Sequence, residues 1–122
     1  MCCYIIAMHE LSIAHNVVEI VSKAVKTDDL SRVLKIQMKI GAMAGVVPES
    51  LEFSFRAITA GTSLANTQLS IEYIPFCIRC ENCGVITEME SGIIECPQCG
   101  SISTQIISGQ ELLVTEIEIE DD

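Results

Sequence analysis

The chain has 122 residues, 49% of them hydrophobic but only 4% aromatic, with no Trp, seven Cys and a formal net charge of −10. That length supports one ordinary core built mainly from Ile, Val and Leu, and the acidic balance opposes a nucleic-acid backbone or an anionic membrane surface as partner. No run approaches the roughly 18 consecutive apolar residues of a membrane span, and Met1 to Ala7 lacks the basic segment of a signal peptide, so a cytoplasmic protein with reduced cysteines is expected.

From Leu11 to Val25, the apolar residues Leu11, Ala14, Val18, Val21 and Val25 recur at helical spacing, with His15, Glu19, Ser22 and Lys26 between them. This predicts an amphipathic helix. Thr27-Asp-Asp-Leu-Ser31 breaks it, and Leu34, Ile36, Met38 and Ile40 then alternate with Lys35, Gln37 and Lys39, the period of a half-buried strand. Gly41 and Gly45 bracket a loop. Pro48 suits the first turn of a second helix, with Leu51, Phe55 and Ile58 on its apolar face and Gly61 at its end.

Leu69, Ile71 and Tyr73 mark a second strand closed by Pro75. Beyond a cysteine-rich segment and a turn at Gly109, Leu113, Thr115, Ile117 and Ile119 alternate with Glu116, Glu118 and Glu120 in a third strand. Its acidic side and the tail at Asp121 and Asp122 keep a sheet edge solvated. Lacking a core of its own, this strand is expected to pair back onto the first two. The fold class that follows is α+β: two helices on a small three-stranded sheet, with an inserted zinc-ribbon-like subdomain. The expected boundaries are 8–75 plus 110–122 for the main body, 76–109 for the insert and 1–7 for an N-terminal extension.

The insert reads Cys77-x-x-Cys80-x-x-Cys83, then twelve residues, then Cys96-Pro-Gln-Cys99-Gly100. Two C-x-x-C knuckles can place four thiolates around one tetrahedral ion, because the two-residue spacer lets both side chains of a pair point at the metal. Gly84 and Gly100, each after a second cysteine, allow the tight turn. Four soft thiolates with no spare position favour Zn(2+) held structurally, although rubredoxin-like iron uses similar spacing. Cys80, Cys83, Cys96 and Cys99 are the expected zinc ligands. Cys77 with Cys80 is an alternative first knuckle, but Cys-Glu-Asn-Cys-Gly echoes Cys-Pro-Gln-Cys-Gly and favours Cys80 with Cys83. Such an insert is too small to fold without its metal.

Met8-His-Glu-Leu-Ser-Ile-Ala-His-Asn-Val-Val-Glu19, then Lys39-Ile-Gly-Ala42, Pro48-Glu-Ser-Leu-Glu-Phe53, Ala60-Gly-Thr62 and the two knuckles occur in order along nearly the whole chain. Together they resemble the HypA/HybF family of hydrogenase and urease nickel-incorporation proteins. The resemblance implies a nickel metallochaperone, with no catalytic residues, that binds Ni(2+) and delivers it during maturation of NiFe hydrogenase, in some members of urease. It implies nickel binding at His9, with Glu10 as its acidic neighbour and a further candidate ligand. It also implies an accessory GTPase of the nickel-insertion pathway and the hydrogenase large subunit as partners, with urease accessory proteins as further ones, and a monomer or weak homodimer.

In that family the protein begins at the methionine of Met-His-Glu. A free amine, a deprotonated backbone amide and the imidazole of the second residue form fused chelate rings that suit the planar preference of Ni(II). Translation is accordingly expected to begin at Met8. His15 lies six residues beyond His9, off the spacing that shares a helix face, and is expected to be no ligand. Glu49, after the Gly45 loop, is a further carboxylate that could reach the nickel site. The competing reading of the chain is a zinc-ribbon protein-interaction or nucleic-acid-binding module. The −10 charge and the lack of a basic or aromatic surface run count against it. No H-E-x-x-H or Ser-His-Asp pattern suggests an enzyme.

Overall fold

A computed structural model of the chain describes residues 2–90 and 92–121, with side chains from Glu10 onward. The chain divides into two compact units: Met1–Met38, Val46–Ile71 and Val114–Asp122 make the first, Lys39–Gly45 and Glu72–Leu113 the second.

The first unit opens with helix α1 (Cys2–Ala24), which runs N-terminal to the expected start at Leu11, since no Gly or Pro precedes that residue to break it. Its buried stripe is Glu10, Ile13, Ala14, Val17 and Val21, the i, i+3, i+4, i+7 pattern of one helix face. Leu11, expected inside, is 41% exposed, and Val18 is half-buried. The stripe is thus turned from the expected one, because a buried acidic residue at position 10 takes the place that periodicity of apolar residues assigned to Leu11. A 3-10 turn (Thr27–Arg32) carries the chain into strand β1 (Val33–Gly41).

Along β1, Ile36, Met38 and Ile40 are buried as their alternation demands, whereas Leu34 is 46% exposed and Val33 is buried in its stead. The irregularity lies at the start of the strand, where the Val33 carbonyl accepts a hydrogen bond from the Thr67 hydroxyl (2.8 Å). Helix α2 (Pro48–Thr59) has Pro48 in its first turn and buries Leu51, Phe55 and Thr59, with Ile58 half-buried. The Thr59 hydroxyl donates to the Phe55 carbonyl (2.8 Å), which satisfies the one polar group on that face. Past the cap residue Ala60, Gly61 takes φ +78°, the left-handed turn that ends a helix. The two helices pack against each other.

Strand β2 is Gln68–Ile74, and the last strand, β6, is Leu112–Ile119. The sheet order is β2-β1-β6, so the C-terminal strand does return beside the first strand, as its lack of a private core required. The Thr115 hydroxyl donates to the Gln37 carbonyl and the Glu120 amide to the Arg32 carbonyl, holding it there.

The second unit contains the ribbon: β3 (Cys77–Cys80), β4 (Ile86–Glu88) and β5 (Thr104–Ser108), in the order β4-β3-β5 with both pairings antiparallel. Phe76 and Ile78 are its buried apolar anchors. Backbone bonds from Gly41 to Glu111 (2.8 Å), Ala42 to Ile74 (2.9 Å) and Met43 to Gly109 (2.7 Å) fasten the 39–45 loop into this unit. Two glycines make that crossing feasible. A Cβ on Gly41 would lie 2.1 Å from the Gly109 carbonyl, and one on Gly109 would lie 2.7 Å from the Cα of Phe76.

Candidate metal centre

Both cysteine knuckles are built by one local recipe. In the first, the Cys80 amide donates to the Val85 carbonyl and the Gly84 amide returns to the Cys80 carbonyl, each at 2.9 Å. In the second, the Cys96 amide donates to Ser101 and the Gly100 amide returns to Cys96, again at 2.9 Å. Gly84 and Gly100 have φ of +78° and +74°, the positive values that the closing turn requires and that glycine accepts without strain.

The knuckles meet through their sulfurs. The Sγ atoms of Cys80 and Cys99 are 3.5 Å apart and those of Cys83 and Cys96 are 3.7 Å apart, and all four lie within 4.8 Å of one another. Zinc–thiolate bonds of 2.3 Å in a tetrahedron place sulfurs about 3.8 Å apart, so the donor set fits Zn(II) in both chemistry and spacing. Cys80 and Cys96 are buried, while Cys83 and Cys99 face solvent. Cys77 is half-buried in β3, opposite Glu88 and Ser108, and lies outside the cluster.

The polar surroundings prepare thiolates. The Cys83 amide donates to the Cys80 sulfur (3.4 Å), and this bond, ahead of smaller contributions, brings the Cys80 thiol down to about 6. The Cys99 amide likewise lowers Cys96. At Cys83 the Val85 amide pulls downward, but burial and the neighbouring sulfurs outweigh it and push the thiol up to about 11. A proton is therefore favoured on Cys83 over Cys80 and Cys96, as expected when several thiols share one small volume without a cation.

In the first unit, the side chain of His9 lies outside the described residues. Glu10 is 1% exposed, and its Oε2 accepts from the Val47 amide (3.0 Å). Val47 is the N-cap of α2 and offers no side-chain acceptor of its own, so a carboxylate from α1 meets the backbone at the start of α2. The second oxygen, Oε1, is buried and has no hydrogen-bond partner among the described residues. Glu10 and the exposed Glu49 line one open cavity of about 380 Å³ together with Ser50, Phe53 and Ser54. His15 is exposed on α1. Val47 carries no sequence signal for its part here, since it contributes only a backbone N–H; Glu10 could have been recognised as inward-facing from its register with Ile13, Ala14 and Val17.

Two paired cysteine knuckles, four thiols in all, on a small antiparallel ribbon, in a chain whose other unit is α+β, define a metal-binding protein of the zinc-ribbon-bearing kind. Residues 8–119 match the family model described as HypA, hydrogenase/urease nickel incorporation, metallochaperone. The chain is 39% identical over 116 residues to a hydrogenase maturation factor HypA of Roseiflexus sp., covering 94% of each chain. It is 40% identical over 113 residues to that of Geobacter sulfurreducens, covering 93% of this chain and all of the relative. This chain belongs to the HypA family. Its fold is also that of a solution structure of a HypA protein (TM-score 0.65, 16% identity, 93% and 97% of the two chains covered). A second likeness is the solution structure of the nickel metallochaperone HypA from Helicobacter pylori (TM-score 0.59, 15% identity, 93% and 98% covered). Among the described residues no helix is long and apolar enough to cross a membrane.

Proposed function

We propose that this protein binds Ni(II) at its Met8-His9-Glu10 segment and hands it on during assembly of the NiFe hydrogenase centre, holding one Zn(II) at Cys80, Cys83, Cys96 and Cys99. The observation that carries this reading is the family match, which starts at the segment itself and runs to residue 119. Glu10 supports it, because a buried carboxylate with one oxygen unpartnered among the described residues, one residue from an imidazole, is a place where a cation relieves a desolvation cost. His9 supplies the imidazole of the chelate and Glu10 is the further candidate ligand.

The division of labour follows from coordination. Zinc surrounded by four thiolates has no open position, so it holds the ribbon folded and takes no part in turnover. Nickel is cargo, which must be held in a set of nitrogen donors that a partner can dismantle. The nickel-binding body is 8–75 plus 110–122 and the zinc-binding one 76–109. The protein acts in the cytoplasm without catalytic turnover, as a monomer or weak homodimer. Its partners are the accessory GTPase of the nickel-insertion pathway and the hydrogenase large subunit, with urease accessory proteins as further ones; neither nucleic acid nor membrane is a partner, in keeping with the −10 charge.

The test is calorimetric titration with Ni(II) of zinc-loaded protein and of its His9→Ala variant, on the 122-residue chain and on one begun at Met8. Loss of nickel binding with zinc content unchanged is expected, together with tighter binding when the Met8 amine is free. Nickel binding unaltered in His9→Ala refutes the assignment.

A further inference from the structure

We infer that Asn82 is a positioning residue of the four-cysteine centre, holding the solvent-facing sulfur of Cys99 from the opposite knuckle through its side-chain amide. The inference rests on the four cysteines holding one tetrahedral ion.

The two knuckles follow one backbone pattern, yet their sulfurs are not served alike. Cys80 receives the Cys83 and Asn82 amides, Cys83 the Val85 amide, and Cys96 the Cys99 and Gln98 amides. Those donors all come from the sulfur's own knuckle. The Gly84 and Gly100 amides are alike spent on the carbonyls of Cys80 and Cys96. The Cys99 sulfur accepts from a side chain of the opposite knuckle, Asn82 Nδ2, at 3.7 Å.

Position matters as much as identity. Asn82 precedes the second cysteine of its knuckle just as Gln98 does in Cys96-Pro-Gln-Cys99, but among the described residues only the Asn82 side chain is hydrogen-bonded to a cluster sulfur. Cys99 is also on the exposed edge of the cluster, where a chelator or electrophile arrives first. A thiolate that accepts an N–H bond is oriented and partly neutralised, and loss of such an outer partner typically weakens metal binding about 10- to 100-fold. A side chain that bridges the knuckles also resists their separation, the motion by which a four-thiolate ion is lost.

The experiment uses the full zinc-loaded chain, with wild type, Asn82→Ala and Gln98→Ala compared by competition with a chromophoric chelator. The same proteins are then alkylated and peptide-mapped. Asn82→Ala is expected to yield its zinc at least about 10-fold more readily, with Cys99 the first of the four zinc-site cysteines modified, while Gln98→Ala matches wild type. In the cobalt-loaded proteins the sulfur-to-metal charge-transfer band shifts for Asn82→Ala alone, a response that a merely structural role does not produce. Equal zinc transfer and an unshifted band in Asn82→Ala and Gln98→Ala overturn the inference. Should Asn82→Ala not accumulate, Asn82→Gln and Asn82→Asp decide, since they differ in offering an amide or a carboxylate to the thiolate: Cys99 must alkylate faster in the Asp variant, and equal rates overturn it. Wild type without one zinc per chain sinks the zinc assignment itself, a result separate from any difference among variants.

Discussion

Gly41→Ala puts the sharpest demand on the second unit. The added Cβ would stand 2.1 Å from both the carbonyl carbon and oxygen of Gly109 and 2.6 Å from the Gln110 nitrogen. All three are backbone atoms, so no rotamer change relieves the overlap. Reaching an ordinary contact of 3.4 Å requires a shift of about 1.3 Å. The Gly41–Glu111 and Met43–Gly109 bonds, at 2.8 and 2.7 Å, do not survive such a displacement. Each lost bond costs about 1 kcal/mol, rising to about 1–3 where a group is left buried and unpaired, and the residual strain adds about 1–3 kcal/mol. A total of about 3–5 kcal/mol follows, which lowers the melting temperature of a chain of this size by roughly 10–20 °C. Gly45→Ala is the control: nothing lies within 4 Å of its Cβ, and only φ of +74° opposes it, worth about 1 kcal/mol. Thermal and urea denaturation of the zinc-loaded proteins, followed by circular dichroism, separates the two. If Gly41→Ala melts within error of Gly45→Ala, the backbone crossing is not the constraint claimed.

Glu10→Ala strands the Val47 amide and is expected to cost about 1–3 kcal/mol in urea denaturation, with faster hydrogen exchange at Val47. Glu10→Gln, which keeps an acceptor, loses less, and identical losses would refute the capping role. Phe55→Ala removes a side chain only 1% exposed and is expected to cost about 3–5 kcal/mol; Ile58→Ala, at a half-buried position, costs less in the same assay. Zinc affinity should fall as pH is lowered, because the four cysteines bind as thiolates and each thiol must give up its proton to the solvent when the ion enters; a log affinity that does not fall between about pH 8 and about pH 6 contradicts this. Stripping zinc with a strong chelator should abolish amide protection in β3 to β5 while the α1, α2 and β1 amides stay protected, and retained ribbon protection would show that the metal is not its main support.

Much of this protein is legible without coordinates because its signals are local. Alternation in Ile36, Met38 and Ile40, the Pro48 start of α2 and the Gly61 stop each depend on a few neighbouring residues, and each appears in the fold where expected. The two knuckles are likewise short-range: C-x-x-C-G specifies its own turn, so Cys80, Cys83, Cys96 and Cys99 could be singled out from spacing. Local signals fail where two faces compete. Leu11 and Leu34 fit their periodic patterns and still point outward, because the buried positions beside them are taken by Glu10 and Val33, whose partners Val47 and Thr67 lie 37 and 34 residues away.

The sequence by itself determined the element types, the four-cysteine set and, through the Met8-His9-Glu10 segment and its companions, the family. Only the tertiary structure decided that Glu10 faces inward with one oxygen on Val47 and one unpartnered among the described residues, that Gly41 and Gly109 are held by backbone contact, and that Asn82 reaches the Cys99 sulfur from the opposite knuckle. The physical reason is common to all three. Hydrogen-bond satisfaction and close packing are settled between groups far apart in the chain, and a single sequence records the groups but not which of them meet.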